Sequence, residues 1–210
     1  MTHEIADRID RREQPIAMSY AAYLALPELT RAEWVDGETI IFMPPNIVHQ
    51  TLTTFLTTFI YLYVDFFKLG KVLAAPVEMR LVKGHISREP DILFVQHEHL
   101  HRFDGLRLEG PADLVVEVVS PESVQRDQER KYSEYAQYGV SEYWLVDPRP
   151  GKQTLTVYQR NAAGQYEGTA PDGQGVFIRR CWGGSGWMEG GCGRSRCRVC
   201  YSAGRRCRRR

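Results

Sequence analysis

A chain of 210 residues, 43% hydrophobic and 25% charged, has the make-up of one globular domain with its own core, and a formal charge of +1 excludes a protein that holds nucleic acid by overall basicity. The total hides a split: residues 179–210 carry ten arginines and one acid, a charge of +9, leaving 17 Lys+Arg against 25 Asp+Glu, or −8, in residues 1–178. All five cysteines (Cys181, Cys192, Cys197, Cys200 and Cys207) lie in that basic segment, and a cysteine-free body suits a reducing cytoplasm.

In chain order, residues 1–17 are highly charged and lack the apolar stretch of a secretory signal, so they read as a loose arm. "MSYAAYLALPEL" has helical spacing, and "RAEWVDGETIIFMPP" reads as a hairpin turning at Asp36–Gly37. After Pro44–Pro45 a long helix carries Leu52, Phe55, Phe59 and Leu62 at helical spacing and stops at Gly70. Its apolar run is interrupted by threonines and Asp65, is too short to cross a bilayer, and is expected to be a core helix. Strands follow at 71–82, 89–95 and 112–120, then a helix over 123–138 ended by Gly139, then "SEYWLVDP" and an antiparallel "TLTVYQR". This αβββαβ order specifies an α/β fold, a mixed sheet covered by helices, with an extra N-terminal helix and hairpin.

Within the third strand, "DLVVEVVSPES", Glu117 stands between Val115–Val116 and Val118–Val119. A lone carboxylate in a strand covered on both faces must protonate or find a cation. Asp91 follows Pro90 at the mouth of the preceding strand. Neighbouring strands are ~4.8 Å apart, so the two acids can converge on one divalent ion. Carboxylates, water and a backbone carbonyl, here that of Val118, suit Mg²⁺ or Mn²⁺. Plainer readings exist. Asp91 can cap a turn, and Arg80 can hold Glu117 in a structural ion pair. Lys131 stands four residues after Asp127, as in a common surface pair. His97, His99 and His101 read as a solvated loop rather than a zinc site. Tyr135, Tyr138, Tyr143 and Trp144 read as packing rather than a base-stacking platform.

"RAEWVDGE", "PPNIVHQ", "EPDILFV", "DLVVEVVSPES", "RDQERKYSEYAQYGVSEYWLVDP" and "TLTVYQR" follow one another in an order that resembles the Uma-two family of restriction-endonuclease-like proteins over residues 18–170. The resemblance implies the PD-(D/E)XK nuclease fold and a Mg²⁺- or Mn²⁺-dependent endonuclease hydrolysing DNA phosphodiester bonds. In that scheme Asp91 and Glu117 bind metal and a lysine assists the attacking water. Val119 occupies the superfamily's usual lysine position, and in the Uma-type pattern that role falls to Lys131 on the following helix. Glu33 and His49 match an acidic and a histidine position and belong at the rim.

The expected organisation is an arm at 1–17, an endonuclease-like domain at 18–175, and a tail at 176–210 that lacks stable secondary structure. Its Arg, Gly, Cys and Trp content is what out-of-frame G/C-rich codons produce, so a frameshift near residues 174–180 is one reading of it. DNA is the expected partner, a homodimer is an open option, and no membrane partner is expected. The competing function is a catalytically degenerate module of the same fold that binds nucleic acid or a protein. An unstable, nonfunctional product is a third.

Overall fold

The computed structural model describes residues 15–27, 30–42 and 44–169 in full, and the backbone of two further strands at 176–179 and 197–200. The chain begins with β1 (Ile16–Ala17) and a short helix α1 (Tyr20–Leu24), then the hairpin β2 (Ala32–Val35) and β3 (Glu38–Ile41). Asp36 and Gly37 both take positive φ, 47° and 91°, the conformation that lets a two-residue turn follow the twist of its strands. The long helix α2 (Ile47–Phe66) is capped by Asn46, whose side chain accepts the His49 N–H.

Next come β4 (Gly70–Ala74), β5 (Met79–Val82), β6 (Ile86–Arg88), β7 (Ile92–Gln96), a 3₁₀ turn (His97–Arg102), β8 (Leu108–Glu109) and β9 (Leu114–Val118). A π-helical turn (Arg126–Lys131) leads directly into α3 (Tyr132–Tyr138), which Gly139 closes with a φ of 95°. The domain ends with β10 (Glu142–Asp147), β11 (Thr154–Arg160) and β12 (Tyr166–Thr169).

The expected αβββαβ order is present as α2, β4, β7, β9, α3 and β10. Its strands form a mixed sheet, β12-β11-β10-β9-β7-β4, in which only β9 and β10 are parallel. A second six-stranded sheet, β1-β3-β2-β6-β5-β8, was not separated in the sequence. Residues 71–82, read as one strand, are two: Pro76, which has no N–H to donate, interrupts them, and β4 and β5 go to different sheets.

Strand alternation divides the core between the layers. Ile92, Phe94, Leu114, Val116 and Trp144 face α2 with Ile60 and Val64. Leu93, Val95, Val115, Val119 and Leu145 face the other way, onto Tyr135 and onto Met79, Leu81, Ile86 and Leu108 of the second sheet.

Helix α2 departs from the expectation of a core helix. Only His49, Thr53, Ile60 and Val64 are buried, while Ile47, Val48, Phe55, Phe59, Leu62 and Phe66 are exposed. By length and composition this 20-residue helix is long and apolar enough to cross a membrane, whereas the sequence reading weighs only the shorter run 55–67. Inside the expected tail, β13 (Val176–Arg179) and β14 (Cys197–Cys200) pair antiparallel, so regular backbone occurs where none was expected. The rest of residues 170–210, and residues 1–14 of the arm, lie outside the described residues.

Candidate active site

The period of two along β9 turns Glu117 to the same side as Val115 and Val119, the side covered by α3. Ile92 stands opposite Val116, so Asp91, at the mouth of β7, comes level with Glu117 on the neighbouring strand. Both acids line one pocket of about 200 Å³. Asp91 Oδ2 accepts the Val118 N–H at 2.9 Å and lies 3.0 Å from His49 Nε2, which the first turn of α2 delivers.

The other wall comes from the π-helical turn and α3. Asp127, Lys131 and Tyr135 recur at i, i+4 and i+8, one above the other on a single helix face. Lys131 Nζ donates to Glu117 Oε1 at 2.9 Å, and Tyr135 Oη donates to the same oxygen at 2.8 Å. The ammonium also lies 2.9 Å from Glu33 Oε1 and 3.5 Å from Asp127 Oδ1. Glu33, on β2 of the second sheet, is held in turn by Arg88 at 2.8 Å, and Arg88 donates three hydrogen bonds to Glu134. Acids and bases thus alternate along Glu134–Arg88–Glu33–Lys131–Glu117, all of them buried except Glu134 at the outer end.

Burial dominates the protonation of this cluster. It pushes Glu117 up to about 8 against the pull of Lys131, and the carboxylates of Asp91, Asp127 and Glu33 push the same way. Burial also raises Asp127, with Lys131 and Arg126 opposing. Glu33 suffers the same burial, but Lys131, Arg88 and Arg126 outweigh it and bring its carboxyl down to about 2. For Asp91 burial is outweighed by the bonds from His49 and from Val118. Lys131 is raised despite burial, because Glu117, Glu33 and Asp127 surround it. The ammonium is therefore firmly charged and shared, Glu33 is its ionised partner, and Glu117 is the acid that burial pushes furthest toward protonation.

Among the described residues no set of three or more His, Cys, Asp or Glu side chains stands ready to hold a metal. The donor set nevertheless fits a hard divalent cation. Asp91, Glu117 and Asp127 all line the pocket, and Asp127 Oδ1 is buried without accepting a hydrogen bond from the protein. Burial first, and the neighbouring carboxylates after it, raise Glu117, and a divalent ion bound beside it would favour the ionised form. At the mouth, the guanidinium groups of Arg31 and Arg126 lie 5.9 and 4.9 Å from the ring centre of Phe42. Arg31 also pairs with Glu89 at 2.6 Å.

Five of the residues singled out in the sequence come together here: Glu33, His49, Asp91, Glu117 and Lys131. Lys131 does pair with Asp127, but both are buried, so the surface-pair reading fails. Arg80 is absent from the site, being paired with Glu109 and Glu78 in the second sheet. Glu33 lies deep rather than at the rim, fully buried behind Lys131. At Val118, which lines the pocket, the backbone group shown in contact with Asp91 is the N–H. His99 binds Asp113, His101 Nδ1 donates to the Glu98 carbonyl, and Tyr143 packs against Tyr135 and Tyr158. Sequence reasoning missed Arg88, Arg126 and Tyr135 as members of the site. For Tyr135 the signal was its position four residues after Lys131; Arg88 carries none, because its partners come from distant segments.

Residues 20–181 match the family model described as "Uma2: Putative restriction endonuclease". Among solved structures the chain is similar to a crystal structure of "a putative nuclease belonging to DUF820 from Anabaena variabilis ATCC 29413", with 20% identity and a TM-score of 0.62 over 78% of this chain and 89% of that one. At that identity the likeness establishes the fold. No curated protein matches the chain.

Proposed function

The chain belongs to the Uma2 family, described as "Putative restriction endonuclease", and from that premise we propose that it is a Mg²⁺- or Mn²⁺-dependent endonuclease that hydrolyses DNA phosphodiester bonds. The observation that carries the reading is Lys131, buried on the same side of the sheet as Glu117 and 2.9 Å from its carboxylate, beside Asp91. Asp91 and Glu117, with the Val118 carbonyl, would hold the cation. A cation bound there would act as a Lewis acid on the phosphate and lower the pKa of a bound water.

The remaining work falls to the chain's own groups. Lys131, held charged by three carboxylates, cannot accept a proton and instead donates hydrogen bonds, orienting water and opposing charge that builds up on the phosphate. Glu33 and Arg88 are positioning residues: they fix the ammonium from behind, where no substrate reaches. Arg31 and Arg126 line the mouth, Arg31 beside Glu89 and Arg126 beside Asp127, and they suit a DNA phosphate flanking the scissile one.

The test is cleavage of duplex and single-stranded DNA with Mg²⁺ or Mn²⁺, comparing wild type with Asp91→Ala; activity in the first and none in the second is expected. One observation favours a second reading, a binding module of the same fold. Both acids are already engaged, Asp91 by His49 and Val118 and Glu117 by Lys131 and Tyr135, as they would be in a site that holds no ion. That reading gains if wild type binds DNA without cutting it and Asp91→Ala binds equally well.

A further inference from the structure

Helix α2 carries two separate stripes. The buried one, His49, Thr53, Ile60 and Val64, docks on the sheet and delivers His49 to the pocket. The other consists of Val48, Leu52, Phe55, Phe59, Leu62 and Phe66, spaced by four, three, four, three and four residues. That alternation is the 3.5-residue period of a helix that packs along a second helix. No element among the described residues covers it: Phe55, Phe59, Leu62 and Phe66 are 49, 46, 62 and 78% exposed.

We propose that this stripe is the contact between two copies of the chain, the two α2 helices packing against each other about a two-fold axis. The exposed parts of these side chains, together with Ile47, amount to on the order of 700 Å², taking roughly 200 Å² for a large side chain. A stable protein interface needs about 800 Å² per partner, and Tyr61 and the exposed threonines flanking the stripe add to the total. A two-fold contact requires a surface that tolerates itself. Between Ile47 and Phe66 there is no lysine or arginine, and Asp65 is the one acid, so two copies meet without like charges along the seam.

Charge argues against the other occupants. A helix lying on a lipid surface sets lysines and arginines along its polar face, and α2 has none. A helix spanning a bilayer would have to leave the sheet, giving up the Ile60 and Val64 packing and withdrawing His49 from Asp91. The chain's own basic segment, ten arginines in residues 179–210, would meet only Asp65 on this face.

Light scattering on the full chain as it elutes from a sizing column, with a reducing agent present to exclude cysteine links, reads the outcome directly. Wild type should have twice the chain mass of 24.1 kDa. Leu62→Glu and Phe59→Glu should each elute at the single-chain mass with the cooperative thermal transition of a folded domain, while Leu62→Met should remain a dimer. Having two sites guards against one variant failing to fold. A monomeric wild type, dimeric glutamate variants, or a monomer that floats with phosphatidylcholine–phosphatidylserine vesicles would each overturn the proposal.

Discussion

The two long helical segments invert the usual relation between polarity and burial. Helix α2 has a single acid and no lysine or arginine in 20 residues, yet most of its surface faces outward. The segment 126–138 reads Arg-Asp-Gln-Glu-Arg-Lys-Tyr-Ser-Glu-Tyr-Ala-Gln-Tyr, yet Asp127, Lys131 and Tyr135 are among the most deeply buried residues of the chain. Residues placed against their solvation preference are held there by partners. In 126–138 those partners are Glu117, Glu33 and Arg88 within the chain; on α2 none of the described residues supplies them.

The largest expected break comes from the charged segment. Lys131→Ala leaves the buried, ionised Glu33 with Arg88 as its one remaining cation and opens a space beside Glu117, which should destabilise the domain by about 3 kcal/mol, the low end for a broken buried pair. For a domain of this size that lowers the thermal midpoint by about 10 °C in a circular-dichroism melt. A change of less than about 1 kcal/mol would mean that Lys131 is solvated and that the buried chain of charge is not what orders this wall.

The pH dependence should be smaller and has a definite sign. Because Glu117 is raised from 4.5 to about 8 on folding, the native state binds a proton that the unfolded state has already released between those values. Its contribution is fully present below about pH 4.5 and is lost as pH rises through 8. Glu117→Gln has no such group, so the stability of wild type relative to this variant should fall steadily across that window in parallel urea titrations. A difference that stays flat with pH would show that Glu117 is ionised in the fold. The smallest effect should come from α2: Leu62→Glu, on the exposed stripe, should shift single-chain stability by no more than about 0.5 kcal/mol while changing the mass of the particle.

The same contrast explains what could be read from the sequence. The hairpin at Asp36–Gly37, the stop at Gly139 and the αβββαβ order were legible, because positive-φ turns and strand-to-helix changes of period are local. Asp91 and Glu117 were legible because a Pro-Asp at a strand mouth and an acid inside a valine run are both anomalies, and Lys131 because of the family pattern. The stripe Leu52, Phe55, Phe59 and Leu62 was read correctly as a stripe and wrongly as the core face; periodicity shows that a face is apolar but not what covers it. The second sheet was lost because its strands are short and Pro76 divides a run that looks continuous. Arg88 became visible only when β6, β2 and α3 were brought together.

On the proposed reading Asp91 and Glu117 form one cation site, and ion and proton compete for the buried Glu117 carboxyl. Isothermal calorimetry of Mn²⁺ binding to wild type and to Glu117→Gln, at pH 7 in two buffers of different ionisation enthalpy, tests it most directly. One saturable site in wild type, releasing a proton as Glu117 ionises, and no such site in a folded Glu117→Gln is the expected result. Equal Mn²⁺ affinity in both proteins would contradict the claim and leave Glu117 a structural partner of Lys131.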